Sequence, residues 1–188
     1  MKMRSLYTNL NRIPPRLSNI AIAPKSPANW KPRLKALTEA FYKRYWFYHP
    51  VKCGPNVFAK RPTVSKSHVE TYHCPGGTTQ KFKRFRTSKE FFKYKYGRGG
   101  EFAQGLHAVL KKLGVRSRVI LGWWPGSDAL WVEAWNPWTK RWTSLDPCYK
   151  HGYGHKFPKK MTGVVASNGI NRSAYYKYGR KLKYQKNV

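Results

Sequence analysis

Apolar residues recur every three or four positions between Glu101 and Leu113, which is the spacing of one face of an α-helix. Gly114 follows this stretch, and glycine is the residue that most often ends a helix. The apolar positions are Phe102, Leu106, Val109, Leu110 and Leu113. The pattern therefore predicts a buried central helix.

Three short runs rich in Val, Ile and Trp come after this helix, at residues 117–122, 130–136 and 141–146. Turn-forming residues separate them, at positions 125–127 and 136–137. Short runs of this kind, bounded by turn residues, predict strands of an antiparallel meander. The order of elements indicates an α+β fold in which a central helix packs on an antiparallel sheet.

An earlier helix is predicted over residues 31–48, with Pro32 near its start and one apolar face formed by Leu34, Leu37, Phe41 and Tyr45. A chain of 188 residues has room for one sizeable core. We place that domain at residues 31–171. Residues 1–30, with scattered proline and no sustained periodicity, are predicted to be an irregular basic arm, and residues 172–188 a basic tail.

The charge of the chain is extreme. Lys and Arg number 38 against seven Asp and Glu, which gives a formal net charge of +31. No acidic residue occurs before Glu39 or after Asp146, so both ends of the chain are purely basic. Self-repulsion of this size favours a polyanionic partner. No apolar run approaches the length needed to cross a bilayer, so no membrane span is expected.

Basic and aromatic residues alternate over residues 81–86, which read Lys-Phe-Lys-Arg-Phe-Arg. This pattern is typical of nucleic-acid binding, although a half-buried strand with a solvated basic face would produce it too. No base-specific code is visible, so contacts to the RNA backbone and shape are expected. The candidate RNA-binding residues are Lys81, Lys83, Arg84, Arg86, Lys89, Lys93, Lys95, Arg98, Lys111, Lys112, Arg116, Arg118, Lys156, Lys159, Lys160, Arg172, Lys177, Arg180, Lys181 and Lys183.

Three segments carry a resemblance to a known family. Residues 97–103 read Gly-Arg-Gly-Gly-Glu-Phe-Ala, residues 128–134 read Asp-Ala-Leu-Trp-Val-Glu-Ala, and residues 141–148 read Arg-Trp-Thr-Ser-Leu-Asp-Pro-Cys. In this order they resemble landmarks of the cytoplasmic peptide:N-glycanases of the transglutaminase-like superfamily. Those landmarks are Gly-Arg-Cys-Gly-Glu-Trp-Ala, Asp-His-Val-Trp-Thr-Glu-Val, and Arg-Trp followed by Cys-Asp-x-Cys. The resemblance implies a transglutaminase-like, cysteine-protease-type core.

The same resemblance implies that the catalytic positions are degenerate. A cysteine amidase needs a thiolate at a helix N-terminus, an imidazole that takes its proton, and a carboxylate that orients the imidazole. The corresponding positions here are Gly99, Ala129 and Asp146, so only the carboxylate is present. We therefore expect no glycanase activity. Cys148 and His107 are interpreted as structural residues rather than as substitutes.

The zinc site implied by the resemblance is degenerate too. The two Cys-x-x-Cys pairs of the family are reduced here to Cys53 and Cys74, and two thiolates do not close a tetrahedral zinc site. No metal and no other cofactor is therefore expected, although His49 and His73 lie close enough in sequence to be considered as ligands. A disulfide between the two cysteines is conceivable, but free thiols are favoured in a reducing compartment.

These features together predict a structural RNA-binding component of a ribonucleoprotein. A disabled enzyme core with basic arms favours a mitochondrial ribosomal protein of the matrix, and the acid-free arm is typical of an organellar targeting segment. The expected partners are rRNA and neighbouring ribosomal proteins, with no small-molecule substrate. One alternative is a DNA-binding module of the repair-protein type, which would be nuclear. The other is a residual amide hydrolase.

Overall fold

The computed structural model describes residues 23–85, 87–124, 127–156 and 159–165, and within 121–128 and 159–165 it describes the backbone alone. The described helices are α1 (Pro27–Arg44), α2 (Ser88–Tyr94) and α3 (Gly99–Lys112). The strands are β1 (Trp46–Phe47), β2 (Lys52–Gly54), β3 (Val57–Phe58), β4 (Thr63–Val64), β5 (Val69–His73), β6 (Thr79–Lys83), β7 (Tyr96–Gly97), β8 (Ser117–Trp124), β9 (Ser127–Asn136), β10 (Arg141–Leu145) and β11 (Lys159–Val165).

The main sheet has four strands in the order β10-β9-β8-β11, and every neighbouring pair is antiparallel. Alternate residues of β9 point into the core, where Leu130, Val132 and Ala134 belong to the same apolar cluster as Phe102 and Leu106 of α3. This arrangement confirms the predicted α+β architecture of a central helix on an antiparallel meander. The central helix begins two residues earlier than predicted.

Close packing between α2 and α3 depends on a glycine. A Cβ atom at Gly105 would lie 2.8 Å from two ring carbons of Phe91, which is closer than real Cβ contacts. Phe91 is fully buried and its ring lies 5.1 Å from that of Phe102. The absence of a side chain at this helical position therefore lets the two helices approach, although glycine weakens a helix by about 1 kcal/mol relative to alanine.

The first helix differs from the predicted 31–48. It begins at Pro27, after Ser26, whose backbone N–H donates to Oδ1 of Asn29 at 3.1 Å. It ends at Arg44, because Tyr45 is extended and the next two residues pair in parallel with β7. Trp46 and Phe47 are therefore strand residues. Residues 1–22 and 166–188, which hold most of the predicted arm and the whole predicted tail, lie outside the described residues.

A smaller sheet, in the order β4-β5-β6, stands beside the hairpin β2–β3. Its own core consists of Tyr48, Val51, Tyr72 and Phe82. The rings of Tyr48 and Phe82 stack with their centroids 4.2 Å apart. Within the described part of the chain, no helix has the length and apolarity that a membrane span requires.

Candidate functional site

The three positions that correspond to a cysteine-amidase triad lie around one segment of β9. Gly99 is the first residue of α3, and a Cβ atom there would lie 3.8 Å from the carbonyl oxygen of Leu130. Leu130 directly follows Ala129 on β9. The start of α3 therefore meets β9 beside Ala129, and neither position carries a side chain that could attack a carbonyl or take a proton.

Asp146, the third of these positions, directly follows β10. It follows Leu145, which pairs with Val132 of β9, and it is 3% exposed. Its Oδ1 accepts a hydrogen bond from the backbone N–H of Cys148 at 2.9 Å. Burial raises the pKa of Asp146 from its ordinary 3.8 to about 6, because a buried carboxylate loses the solvation of its charge. The carboxyl group at the position assigned to the orienting acid is therefore buried and harder to ionise than that of an ordinary aspartate.

The asparagine variant of Asp146 is expected to be more stable than the native protein at pH 8 by about 3 kcal/mol, because the pKa rises from 3.8 to about 6 and each pKa unit corresponds to about 1.4 kcal/mol. A carboxyl group whose folded pKa is raised stabilises the fold below its unfolded pKa and loses that contribution as the pH rises through the folded value. The advantage of Asp146→Asn should therefore shrink between pH 6 and pH 4. Urea denaturation across this range measures it. A difference that is the same at every pH would contradict the prediction.

The two side chains considered as catalytic substitutes occupy structural positions. Cys148 packs against the main core, and burial, together with the nearby Asp146 carboxyl, raises the pKa of its thiol well above the ordinary value. A thiol of this kind is a poor nucleophile, because the thiolate is the reactive form. Nδ1 of His107 lies 3.0 Å from the hydroxyl oxygen of Ser117, a contact that links α3 to β8.

The two cysteines of the degenerate metal site form a disulfide. Cys53 of β2 and Cys74, which follows β5, have Cα atoms 5.6 Å apart, a separation that suits a bridge. The interpretation that favoured free thiols is therefore wrong for this structure, because the hairpin brings the two sulfurs together. Among the described residues, no group of three or more His, Cys, Asp and Glu side chains could hold a metal ion.

A buried ion-pair cluster ties the small sheet to the start of α3. Arg84 lies between two carboxylates, with its Nη1 2.8 Å from Oε1 of Glu70 and its Nη2 2.9 Å from Oε2 of Glu101. Glu70 is 1% exposed and also accepts from the hydroxyls of Tyr48 and Tyr72. Arg84 is one of the predicted RNA-binding residues. Its guanidinium instead neutralises two buried acids.

Arg98 completes this cluster. Its guanidinium Nη1 lies 3.2 Å from Oε1 of Glu70, and its backbone N–H donates to Oε2 of Glu101 at 3.1 Å. Burial alone would raise the pKa of Glu70, but the charges of Arg84 and Arg98 outweigh it and hold that pKa at about 2. Four side chains, Glu70, Arg84, Arg98 and Glu101, thus form what we call the carboxylate–arginine cluster.

Most of the other predicted RNA-binding residues that the structure describes are exposed. Lys112 and Arg118 are half-buried, and the guanidinium of Arg118 binds Glu133 and lies 4.0 Å from the ring centre of Trp142. The exposed ones are Lys81, Lys83, Lys89, Lys93, Lys95, Lys111, Arg116 and Lys156. Side chains outside the described set are those of Arg86, Lys159, Lys160, Arg172, Lys177, Arg180, Lys181 and Lys183.

Sequence reasoning missed one exposed aromatic side chain, which lies next to Lys95. Trp46 is 58% exposed, and its backbone N–H donates to the carbonyl oxygen of Lys95 at 3.0 Å. Its ring lies 5.5 Å from that of Phe82, which stands between Lys81 and Lys83 on β6. The sequence did not single out Trp46, because the predicted helix over 31–48 includes this position. Trp46 instead lies in the short strand β1, and this strand forms only because β7, which is distant in sequence, pairs with it.

Comparison with known proteins finds a match for part of the core. Residues 62–147 match the sequence pattern of the transglutaminase-like superfamily. Together with the helix-on-sheet architecture, the match gives this segment the transglutaminase-like fold that the sequence predicted.

Two relatives that the chain matches are enzymes of the same name. The chain is 34% identical over 110 residues to the peptide-N(4)-(N-acetyl-beta-glucosaminyl)asparagine amidase of Kluyveromyces lactis, with 55% of this chain and 30% of that protein covered. It is 29% identical over 139 residues to the enzyme of the same name from Caenorhabditis elegans, with 66% and 22% covered. Part of the core is therefore similar in sequence to part of these amidases. The chain spans less than a third of the length of these relatives.

Among solved structures, LapG of Legionella pneumophila aligns with a TM-score of 0.49 at 13% identity, over 89% of this chain and 85% of that one.

Proposed function

We propose that this chain is a non-catalytic, RNA-binding structural component of a ribonucleoprotein, built on a peptide:N-glycanase-like core. One observation carries the proposal: the nucleophile and base positions are Gly99 and Ala129, while the chain as a whole has a net charge of +31. Catalytic groups act as a unit, so loss of two of three removes the acceleration. The excess of cations supplies an affinity for polyanions instead.

The positions of the charges support RNA as the partner. Lys81 and Lys83 of β6 and Lys93 and Lys95 at the end of α2 are exposed, and we call these four residues the lysine surface. The acids Glu70 and Glu101, by contrast, are buried and neutralised by arginine. Glu90 offsets one of these lysines, since its Oε1 lies 3.7 Å from Nζ of Lys83, and the surface keeps an excess of positive charge. Lysine binds phosphate as a point charge without reading bases, which suits a structural role.

The particle that we propose is the mitochondrial ribosome, with rRNA and neighbouring ribosomal proteins as partners. The acid-free, arginine-bearing residues 1–30 support import into the matrix, and basic extensions order on binding structured RNA. Fractionation of cells into mitochondria and nuclei, followed by sedimentation of the mitochondrial ribosomes, tests this step. Co-sedimentation with a ribosomal subunit at low salt is expected, and recovery only in the nuclear fraction would overturn it.

A binding experiment separates RNA from DNA. The full chain is titrated with a labelled structured RNA and with duplex DNA of the same length, and tighter binding to the RNA is expected. Lys81→Glu combined with Lys95→Glu should weaken the RNA complex, because both lysines are exposed and belong to the lysine surface. The matched control reverses Lys31 and Lys35, exposed residues in the first half of α1, which changes the net charge equally at the end of that helix away from Trp46. Preferential binding to DNA would favour a DNA-binding module instead.

A glycopeptide assay tests the absence of catalysis. The native chain is expected to release no glycan, and release would overturn the proposal. Gly99→Cys combined with Ala129→His should create a thiol whose pKa lies below that of free cysteine, because a helix N-terminus and an imidazole both favour the thiolate. The pH dependence of alkylation measures it. An unshifted thiol pKa would count against the assignment of these two positions.

A further inference from the structure

The lysine surface described above contains two exposed aromatic rings that belong to one contiguous cluster. Trp46 is 58% exposed and Tyr94 is 45% exposed. Tyr96 contacts the ring of Trp46 at 6.4 Å, and Phe85 contacts the rings of Tyr96 and Tyr94, each at 5.0 Å. The two exposed rings are thus joined through two inner ones. We call Trp46 and Tyr94 the aromatic platform.

Both exposed rings are held in place by their neighbours. The ring of Trp46 makes edge-to-face contacts with Tyr48, Phe82 and Tyr96 at centroid distances of 6.4, 5.5 and 6.4 Å. Phe85 stacks on Tyr94 with an interplanar angle of 3°. A ring that is already ordered loses little conformational entropy when a ligand stacks on it. The platform is therefore preorganised for a flat partner, and its hydrophobic surface is costly to leave in water.

The charges around the platform specify the chemistry of that partner. Nζ of Lys93 lies 5.2 Å from the ring centre of Tyr94, and the carbonyl oxygen of the exposed Lys95 accepts from the backbone N–H of Trp46. Glu90 is the only acidic residue within 79–98, and its Oε1 lies 3.7 Å from Nζ of Lys83. A partner that offers flat rings and a negatively charged backbone at once is a single-stranded nucleic acid, because its bases are free to leave the stack.

We propose that Trp46 and Tyr94 stack on unpaired bases of RNA while the surrounding lysines bind the adjacent phosphates. This inference rests on the proposed function and adds to it a defined site and a ligand class. Bases in a duplex are stacked on one another and are not available to either ring. The platform therefore distinguishes unpaired from paired RNA, whereas the lysines alone would bind both.

The test compares two RNA probes. Binding of the full chain to a labelled oligouridine, which stays unpaired, is measured beside binding to an RNA duplex of the same length. Trp46→Ala is expected to weaken oligouridine binding about 5- to 100-fold and to leave duplex binding unchanged, since this is the usual contribution of one stacked base. Trp46→Phe should restore most of the loss, because it keeps an aromatic face.

Trp138 supplies the matched control, since it is 39% exposed and lies in the turn after β9, away from the platform in the fold. Trp138→Ala should bind oligouridine as the native chain does. If Trp46→Ala binds oligouridine normally, or loses affinity for both probes equally, the stacking inference is overturned while RNA binding stands. If the native chain binds neither probe, the proposed function itself fails. Thermal unfolding of Trp46→Ala shows whether this variant keeps the fold. If it does not, the comparison of Trp46→Phe with the native chain on the two RNA probes decides between stacking and its absence.

Discussion

Replacement of Arg84 by methionine is expected to lower the free energy of unfolding by about 3–5 kcal/mol, the usual cost of removing one partner from a buried ion pair. The side chain of Arg84 is 12% exposed and lies between Glu70 and Glu101, which are 1% and 4% exposed. Methionine keeps much of the volume but leaves two buried carboxylates with less countercharge. Urea denaturation at neutral pH measures the change.

Arg116→Met provides the control, because Arg116 is an exposed arginine whose guanidinium lies 5.5 Å from the ring centres of Trp135 and Trp142. It should cost far less than Arg84→Met. Glu70→Gln in the Arg84→Met background should recover part of the loss, since it removes one unpaired charge. A cost below about 1 kcal/mol for Arg84→Met would place this pair among ordinary surface ion pairs and contradict the prediction.

The carboxylate–arginine cluster also gives the protein an acid sensitivity. The pKa of Glu70 is about 2 in the folded chain and 4.5 ordinarily. A carboxyl group whose folded pKa is depressed stabilises the fold above its unfolded pKa and loses that contribution as the pH falls through the folded value. The stability that depends on Arg84 should therefore decline between pH 4.5 and pH 2.

Affinity for RNA is expected to fall about 10³-fold or more when the salt concentration rises from about 50 to about 200 mM. The reason is that each neutralised phosphate releases a counterion, and a chain with a net charge of +31 has cations enough to neutralise about six to ten phosphates. Fluorescence anisotropy titrations at several salt concentrations give the slope of log affinity against log salt.

The charge-reversed pair Lys81→Glu and Lys95→Glu should reduce the magnitude of this slope by about one for each phosphate that the variant no longer neutralises. The α1 pair Lys31→Glu and Lys35→Glu should leave the slope close to that of the native chain, because both residues lie in the first half of α1, away from Trp46. An affinity that is insensitive to salt would mean that the excess of lysine and arginine has another purpose.

Local patterns in the sequence predicted the main core well. The helix over Glu101–Leu113 corresponds to Gly99–Lys112, and the three strand predictions overlap β8, β9 and β10. These elements are predictable because their apolar faces repeat at the period of the element itself. The positions of Gly99, Ala129 and Asp146 around β9 also follow from elements that the sequence predicted.

The features that local patterns did not predict are those that depend on distant partners. Lys-Phe-Lys-Arg-Phe-Arg at 81–86 looks like one alternating strand, but β6 ends at Lys83 because Glu70 and Glu101 draw Arg84 inward. Trp46 leaves its predicted helix because β7 pairs with it. Each outcome involves residues that are more than ten positions away, and no local period records such a pairing.

The bridge between Cys53 and Cys74 has a practical consequence for handling the protein. A protease that cuts once within residues 54–73 would leave two fragments covalently joined. Such nicked material would migrate as a single intact band in electrophoresis without reductant and would separate into two bands only after thiol treatment. Purity of a preparation should therefore be judged on reduced samples.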